Sequence, residues 1–238
     1  MGDKLFTAKA WLEAWEIFKT EVPFALWETL YVTVISTLIA TLIGLPLGVL
    51  LVTGDKNGIR PLPKWLMSVL NIVINLLRSV PFIILVVIVI PLTRLIMGTS
   101  VGTPASIVPL VIAAFPFIAR LVEGSLREIN PNIIEAAQSM GASPLQIVMK
   151  VLLPESVPSL INNLTVAITT ILGYTAMSGI IGGGGLGKIA INYGYYRYKY
   201  GVMLVAVILL IIMVQIFQTV GTRASIKTDK RIKNKGIE

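Results

Sequence analysis

The sequence contains no cysteine and no histidine. Without thiols there can be no disulfide, no thiolate metal site and no cysteine nucleophile. Without imidazole the commonest general base and the commonest metal ligand are missing too. Charge is also scarce. Asp, Glu, Lys and Arg make up 13% of the chain, against about a quarter in an average soluble domain. The 20 basic and 12 acidic residues leave a formal net charge of +8. In so apolar a chain a basic excess points to Lys and Arg retained on the cytoplasmic side of a bilayer rather than to nucleic acid.

What is present is apolar. Of the 238 residues 55% are hydrophobic, and the mean hydropathy is +0.84. Several runs exceed the ~18 residues that suggest a membrane-spanning helix. The expected fold class is an all-α polytopic membrane protein with five transmembrane helices per subunit.

The expected organisation has three parts: an amphipathic segment over residues 1–23, a transmembrane domain over 24–222 and a basic tail over 223–238. The first segment carries no expected signal-peptide cleavage site. Trp11, Leu12, Trp15 and Phe18 recur there at helical spacing, which suits a helix lying at the headgroup level. Spans are expected near 24–52, 65–96, 105–121, 158–178 and 202–220. Gly44, Pro46 and Gly48 permit close packing or a bend in the first. The second contains Arg78, Ser79 and Pro81. Either Pro81 kinks one long helix, or the span is two shorter pieces with Arg78 at an interface. The fourth span is the most polar, with Asn162, Asn163, Thr165, Thr169, Thr170, Tyr174, Thr175 and Ser178. Arg78, Asn163, Thr170, Tyr174 and Met177 are the expected pathway or gate residues.

Five spans put the termini on opposite sides. With the tail inside, the inner segments hold Lys56, Arg60, Lys64, Arg120, Arg127, Lys150, Arg223, Lys227, Lys230, Arg231, Lys233 and Lys235. The outer segments hold only Lys4, Lys9, Lys19, Arg94, Lys188, Arg197 and Lys199. This asymmetry favours an outside N-terminus and a cytoplasmic C-terminus.

Two motif matches mislead. Residues 182–188 read GGGGLGK, which satisfies a phosphate-loop spacing, but Ile189 stands where a magnesium-ligating hydroxyl is needed. The expected structure there is a flexible or re-entrant outer loop. Glu123, Glu128, Glu135 and Glu155 lie beside basic residues and suit interfacial pairing rather than catalysis. No acidic residue is expected in any span core, so an intramembrane hydrolase is disfavoured.

The most informative stretch is 130–154. Asn130 and Pro131 can open one short helix, and Gly141 suits its C-terminus. Ser143, Pro144 and Gln146 have the spacing of a capping box for a second. Ala136, Ala137, Gly141 and Ala142 offer a surface that another protein can approach closely. Glu135-Ala136-Ala137, then Gly141, then Val151, Leu153 and Pro154, resembles the EAA-G-I-LP signature of bacterial ABC importer permeases. Val151 replaces the more usual isoleucine. Residues 24–222, including RSVPFIILVVIVIPLTRLIMGTS and GYTAMSGIIGGGGLGKIAINYGYYRY, resemble the permeases of methionine importers.

The resemblance implies a type I importer permease in the bacterial inner membrane. It implies a homodimer, two copies of a cytoplasmic ABC ATPase, and a periplasmic or lipid-anchored methionine-binding protein. ATP and Mg would be bound by the ATPase, with no cofactor in this chain. Glu135, Ala136, Ala137, Gly141, Leu153 and Pro154 would form the ATPase-coupling site. Glu135 would pair with the ATPase, or only favour the positive end of its own helix. Transport of another amino acid or a phosphonate stands as the alternative, and a passive channel as the rival without an ATPase.

Overall fold

The computed structural model describes residues 8–229. Lys4 and the tail residues Lys230, Arg231, Lys233 and Lys235 lie outside them. Among the described residues the fold is helical and contains no strand. In chain order the α-helices are α1 (Ala8–Thr20), α2 (Val22–Thr53), α3 (Lys64–Ser79), α4 (Phe82–Met97), α5 (Ile107–Arg127), α6 (Pro131–Ser139), α7 (Pro144–Ile147), α8 (Leu153–Ser178), α9 (Gly185–Ile189) and α10 (Tyr200–Thr228). Short 3-10 turns at Pro104–Ser106 and Gly179–Ile181 lead into α5 and out of α8. Four helical stretches are long and apolar enough to cross a membrane, and α3 with α4 makes a fifth if the pair is one broken span.

That break settles the expectation for residues 65–96. The span is not one kinked helix. Pro81 has an extended ψ of 136°, and it has no N–H to continue the α3 ladder. Arg78 lies exposed in the last turn of α3.

The chain folds as two compact units. The first comprises Met1–Leu38, Val80–Ala113 and Ile168–Phe217. Its core gathers Val22, Ala25, Leu172, Leu186, Ile189 and Val202. Ile17 and Phe18 of α1 pack onto this core, while Trp11, Leu12 and Trp15 stay exposed. Three threonines enter it by satisfying themselves within α2. Thr29, Thr33 and Thr37 are buried, and each hydroxyl donates to the carbonyl four residues back at 2.7–2.9 Å.

The second unit comprises Ile39–Ser79, Ala114–Ala167 and Gln218–Glu238. Here α2 meets α5 through small residues. A Cβ at Gly44 would fall 2.8 Å from the Phe115 carbonyl, and one at Gly48 would fall 2.7 Å from that of Ala119. The backbones therefore touch at the positions where the sequence permits it. Leu51, Ile74 and Ala119 form the adjacent core, with Leu47, Met67 and Leu70 around it.

Candidate functional site

Residues 130–152 belong wholly to the second unit. The Asn130 side chain accepts the Asn132 N–H at 3.0 Å and so caps α6, with Pro131 at its first position. The other end closes as a Schellman motif. Gly141 adopts φ +77°. Its N–H donates to the Gln138 carbonyl at 2.9 Å, and the Ala142 N–H donates to the Ala137 carbonyl at 3.1 Å. Both ends of a nine-residue helix are thus hydrogen-bonded. The capping box is also formed: the Ser143 N–H donates to Gln146 Oε1 at 2.8 Å, and the Gln146 N–H donates to Ser143 Oγ at 3.4 Å.

The small residues of α6 do not share one face. Ala137 is buried at 5% exposure against its own unit. Glu135, Ala136, Met140 and Gly141 are exposed, with Met140 at 82%. Beyond it Leu145 and Met149 are exposed as well. The exposed residues thus include Ala136, Met140, Gly141 and Leu145, with Glu135, Gln138 and Ser139 exposed among them.

The second helix of the pair is not a short separate one. α7 runs through a π-helical turn at Val148–Leu152 straight into α8. Pro154 explains that turn. It offers no N–H, and its ring would strike the carbonyl four residues back. Widening to the i+5 pattern, with the Leu153 N–H on the Val148 carbonyl, relieves both problems. Leu153 is half-buried and Pro154 exposed at that joint.

On α5, which precedes α6 in the chain, a polar network lines one face. Arg120 Nη1 donates to Glu123 Oε2 at 2.6 Å. Arg120 Nη2 donates to Asn71 Oδ1 at 2.7 Å and to Asn75 Oδ1 at 3.0 Å. The Asn71 amide nitrogen is spent on the Met67 carbonyl at 2.8 Å, which turns its oxygen toward Arg120. Arg127 donates from Nε and Nη2 to Glu123 Oε1 at 3.1 and 2.9 Å, and from Nη2 to Asp55 Oδ2 at 2.9 Å. The Arg127 hydrogen bond, then the Lys56 N–H, hold the Asp55 carboxyl below its ordinary value of 3.8. A cavity of about 570 Å³ lies in the same unit, its polar lining including Glu128, Glu155, Asn162, Ser225 and Asp229.

The expected pathway residues are scattered. Asn163 Nδ2 donates to Ser125 Oγ at 2.8 Å and to the Leu121 carbonyl at 3.2 Å, which joins α8 to α5. Thr170 is half-buried. In the first unit Tyr174 stacks on Phe82 of α4, ring centroids 4.6 Å apart. Met177 is 42% exposed at the end of α8.

Residues 182–188 are not a flexible loop. A Cβ at Gly187 would collide with the Ala176 backbone, so the glycines are there for close approach. Gly182 and Gly185 adopt φ of +94° and +79°. The first turn of α9 is held by α2: Glu28 Oε2 accepts the Gly185 N–H and Thr29 Oγ1 accepts the Leu186 N–H, both at 2.8 Å. Glu28 Oε1 also accepts the Thr103 hydroxyl. Glu28 lies before the uncharged run from Leu30 to Val52, so the core of that span still holds no acidic residue. Its position among apolar residues near the start of α2 was the signal by which the sequence could have pointed to it.

Comparison with known proteins follows from this geometry. The family described as "Binding-protein-dependent transport system inner membrane component" matches residues 40–224. A "Probable D-methionine transport system permease protein MetI" of Vibrio cholerae is 49% identical over 208 residues, covering 87% of this chain and 92% of that one. The "D-methionine transport system permease protein MetI" of Escherichia coli K12 is 49% identical over 154 residues, 65% of this chain and 70% of that one. Among solved structures, a chain of the MetNI methionine ABC transporter in an inward-facing conformation superposes with a TM-score of 0.84 at 46% identity, covering 86% of this chain and 94% of that one. A chain of an amino acid ABC transporter with histidines gives 0.69 at 18% identity, covering 85% and 92%, a likeness of fold alone.

Proposed function

This chain belongs to the binding-protein-dependent transport system inner membrane components, and from that premise we propose that it is the permease subunit of an ATP-driven methionine importer. The observation that carries the reading is the extent of the match to permeases named for D-methionine transport, which spans nearly the whole chain. In this reading two copies pair in the bilayer, two copies of a cytoplasmic ATPase bind inside, and a methionine-binding protein delivers substrate outside. The N-terminus is outside and the C-terminus inside.

The work of the ATPase enters through α6. A helix capped at both ends moves as a rigid lever, because neither terminus can fray when pushed. Ala136, Met140, Gly141 and Leu145 fit an apolar groove on the ATPase, with Glu135 at the rim. Ala137 serves from the other side, as the anchor of α6 to its own unit. Leu153 and Pro154 pass the displacement into α8. The spans then alternate between inward-open and outward-open states. Thr170, Tyr174 and Met177 are the pathway side of α8. Arg78, at the end of α3, shapes the field of the cavity, and Asn163 holds α8 to α5.

The test is uptake of labelled methionine by proteoliposomes holding the chain, its ATPase and the binding protein. ATP-dependent methionine uptake is the expected outcome. ATP-dependent uptake of another amino acid or a phosphonate, with none of methionine, would move the substrate to that solute. Uptake that continues without ATP would replace the importer by a passive channel.

A further inference from the structure

We propose that Arg120 is a positioning residue for transport, tying α3 to the helix that carries α6, with Arg127 of the same helix reaching the α2–α3 loop. The proposal rests on the importer reading above. It assigns a second route by which displacement of α6 leaves the docking site, besides the direct continuation through α7 into α8.

The geometry supports a clamp at Arg120 and Glu123, whereas the Arg127–Asp55 pair that extends it is half-exposed, at 49% and 44%. Arg120, Glu123 and Arg127 lie three and four residues apart and so share one face of α5. Asn71 and Asn75 lie four apart on one face of α3, and both oxygens converge on a single Arg120 nitrogen. The side chains of Arg120 and Glu123 are only 20% and 12% exposed. Glu123 uses one carboxylate oxygen for Arg120 and the other for Arg127. Arg127 reaches Asp55 in the α2–α3 loop. Two guanidiniums and two carboxylates balance, so the cluster carries no uncompensated charge.

Its place in the chain gives it a mechanical meaning. Arg127 is the last residue of α5, and α6 starts at Pro131. A shift of α6 therefore pulls on the end of α5 at once. Apolar contacts alone let packed helices slide. A planar guanidinium fork that bonds three partners at fixed angles does not. The shift consequently reaches α3 whole, and α3 leads directly into the break at Val80 and Pro81. The arrangement converts a push at one short helix into motion of two spans.

Arg120→Lys keeps the charge and removes the fork, since one ammonium cannot serve Glu123 and both asparagines in that geometry. Asn71→Leu with Asn75→Leu leaves Arg120 intact and removes its acceptors on α3. The readout is methionine taken up per ATP hydrolysed, in assemblies that co-purify with the ATPase. We expect both variants to hydrolyse ATP and to lose about tenfold in that ratio, a coupling loss within the usual range. Asn71→Asp, which preserves the acceptor, should keep the ratio.

Because the chain has no cysteine, Asn75→Cys with Arg120→Cys allows a bifunctional thiol reagent to replace the clamp covalently, and the reagent should restore the ratio. An unchanged ratio in the asparagine pair variant overturns the proposal, even if Arg120→Lys fails to assemble. A lost ratio that the cross-link does not restore overturns it too. If the unmodified assembly does not import methionine, the importer reading fails and not the clamp alone.

Discussion

A Cβ built on Gly141 would meet no atom within 4 Å, yet φ +77° keeps most residues out of that conformation. Its backbone, not crowding inside the chain, demands glycine. That separates two roles at one position. Gly141→Asn keeps the left-handed turn at small cost, whereas Gly141→Val costs about 1–2 kcal/mol for the backbone alone. If the ATPase sits against this turn, Gly141→Asn should leave the isolated permease as stable as the wild type and still weaken ATPase binding and transport. Thermal unfolding of the permease, set beside ATPase co-purification, reads the two effects apart. Normal binding and uptake by a stable Gly141→Asn protein would remove Gly141 from the contact. Ala136 and Ala137 divide in the same way: adjacent in the signature and about 100° apart around the helix, one is exposed and the other buried, and only Ala136 is open to a partner.

At the scale of elements, glycines expected to form a flexible or re-entrant loop prove to pack closely against their neighbours. α9 (Gly185–Ile189) runs straight on into a π-helical stretch at Ala190–Tyr196, and a helix that short is marginal alone. Its first turn is held by α2, which supplies Glu28 and Thr29 as acceptors for the Gly185 and Leu186 N–H groups. Glu28→Ala leaves the Gly185 N–H and the Thr103 hydroxyl without these bonds, at a cost of about 1–3 kcal/mol. We expect hydrogen exchange at Gly185 and Leu186 to accelerate in that variant while α6 exchanges as before. Unchanged protection at Gly185 and Leu186 would mean that the glycine packing alone holds α9. The π-helical turn before α8 is a similar case. Pro154 was visible in the sequence as the end of a signature, and its backbone consequence was not.

For the whole molecule, the proposed topology counts the broken α3–α4 pair as one crossing, and the resulting five would put the termini on opposite sides of the membrane. The proposed orientation can be tested directly, since the cysteine-free chain accepts single reporters. Lys56→Cys in the α2–α3 loop should label only from the cytoplasmic side. Thr99→Cys, beyond the end of α4, should label only from the outside. Both are exposed positions in their own units. Labelling of both from one side would break the five-crossing topology, and a reversed pattern would invert the orientation.

Composition and periodicity were enough to establish a helical, multi-pass membrane chain. They were also enough to place the capped helix at 131–139, because hydrophobic run lengths and end-capping residues act over a few neighbouring positions. The EAA-G pattern could be read only through its resemblance to a known permease signature. Tertiary structure decided which of Ala136 and Ala137 is free, whether residues 65–96 form one helix or two, and that residues 182–188 are packed. It alone joined Arg120 to Asn71 and Asn75, and Arg127 to Asp55, pairs separated by 49, 45 and 72 positions. No local pattern encodes such partners. A polar side chain in an apolar chain announces that it needs a partner, and only the packed helices show which one it has.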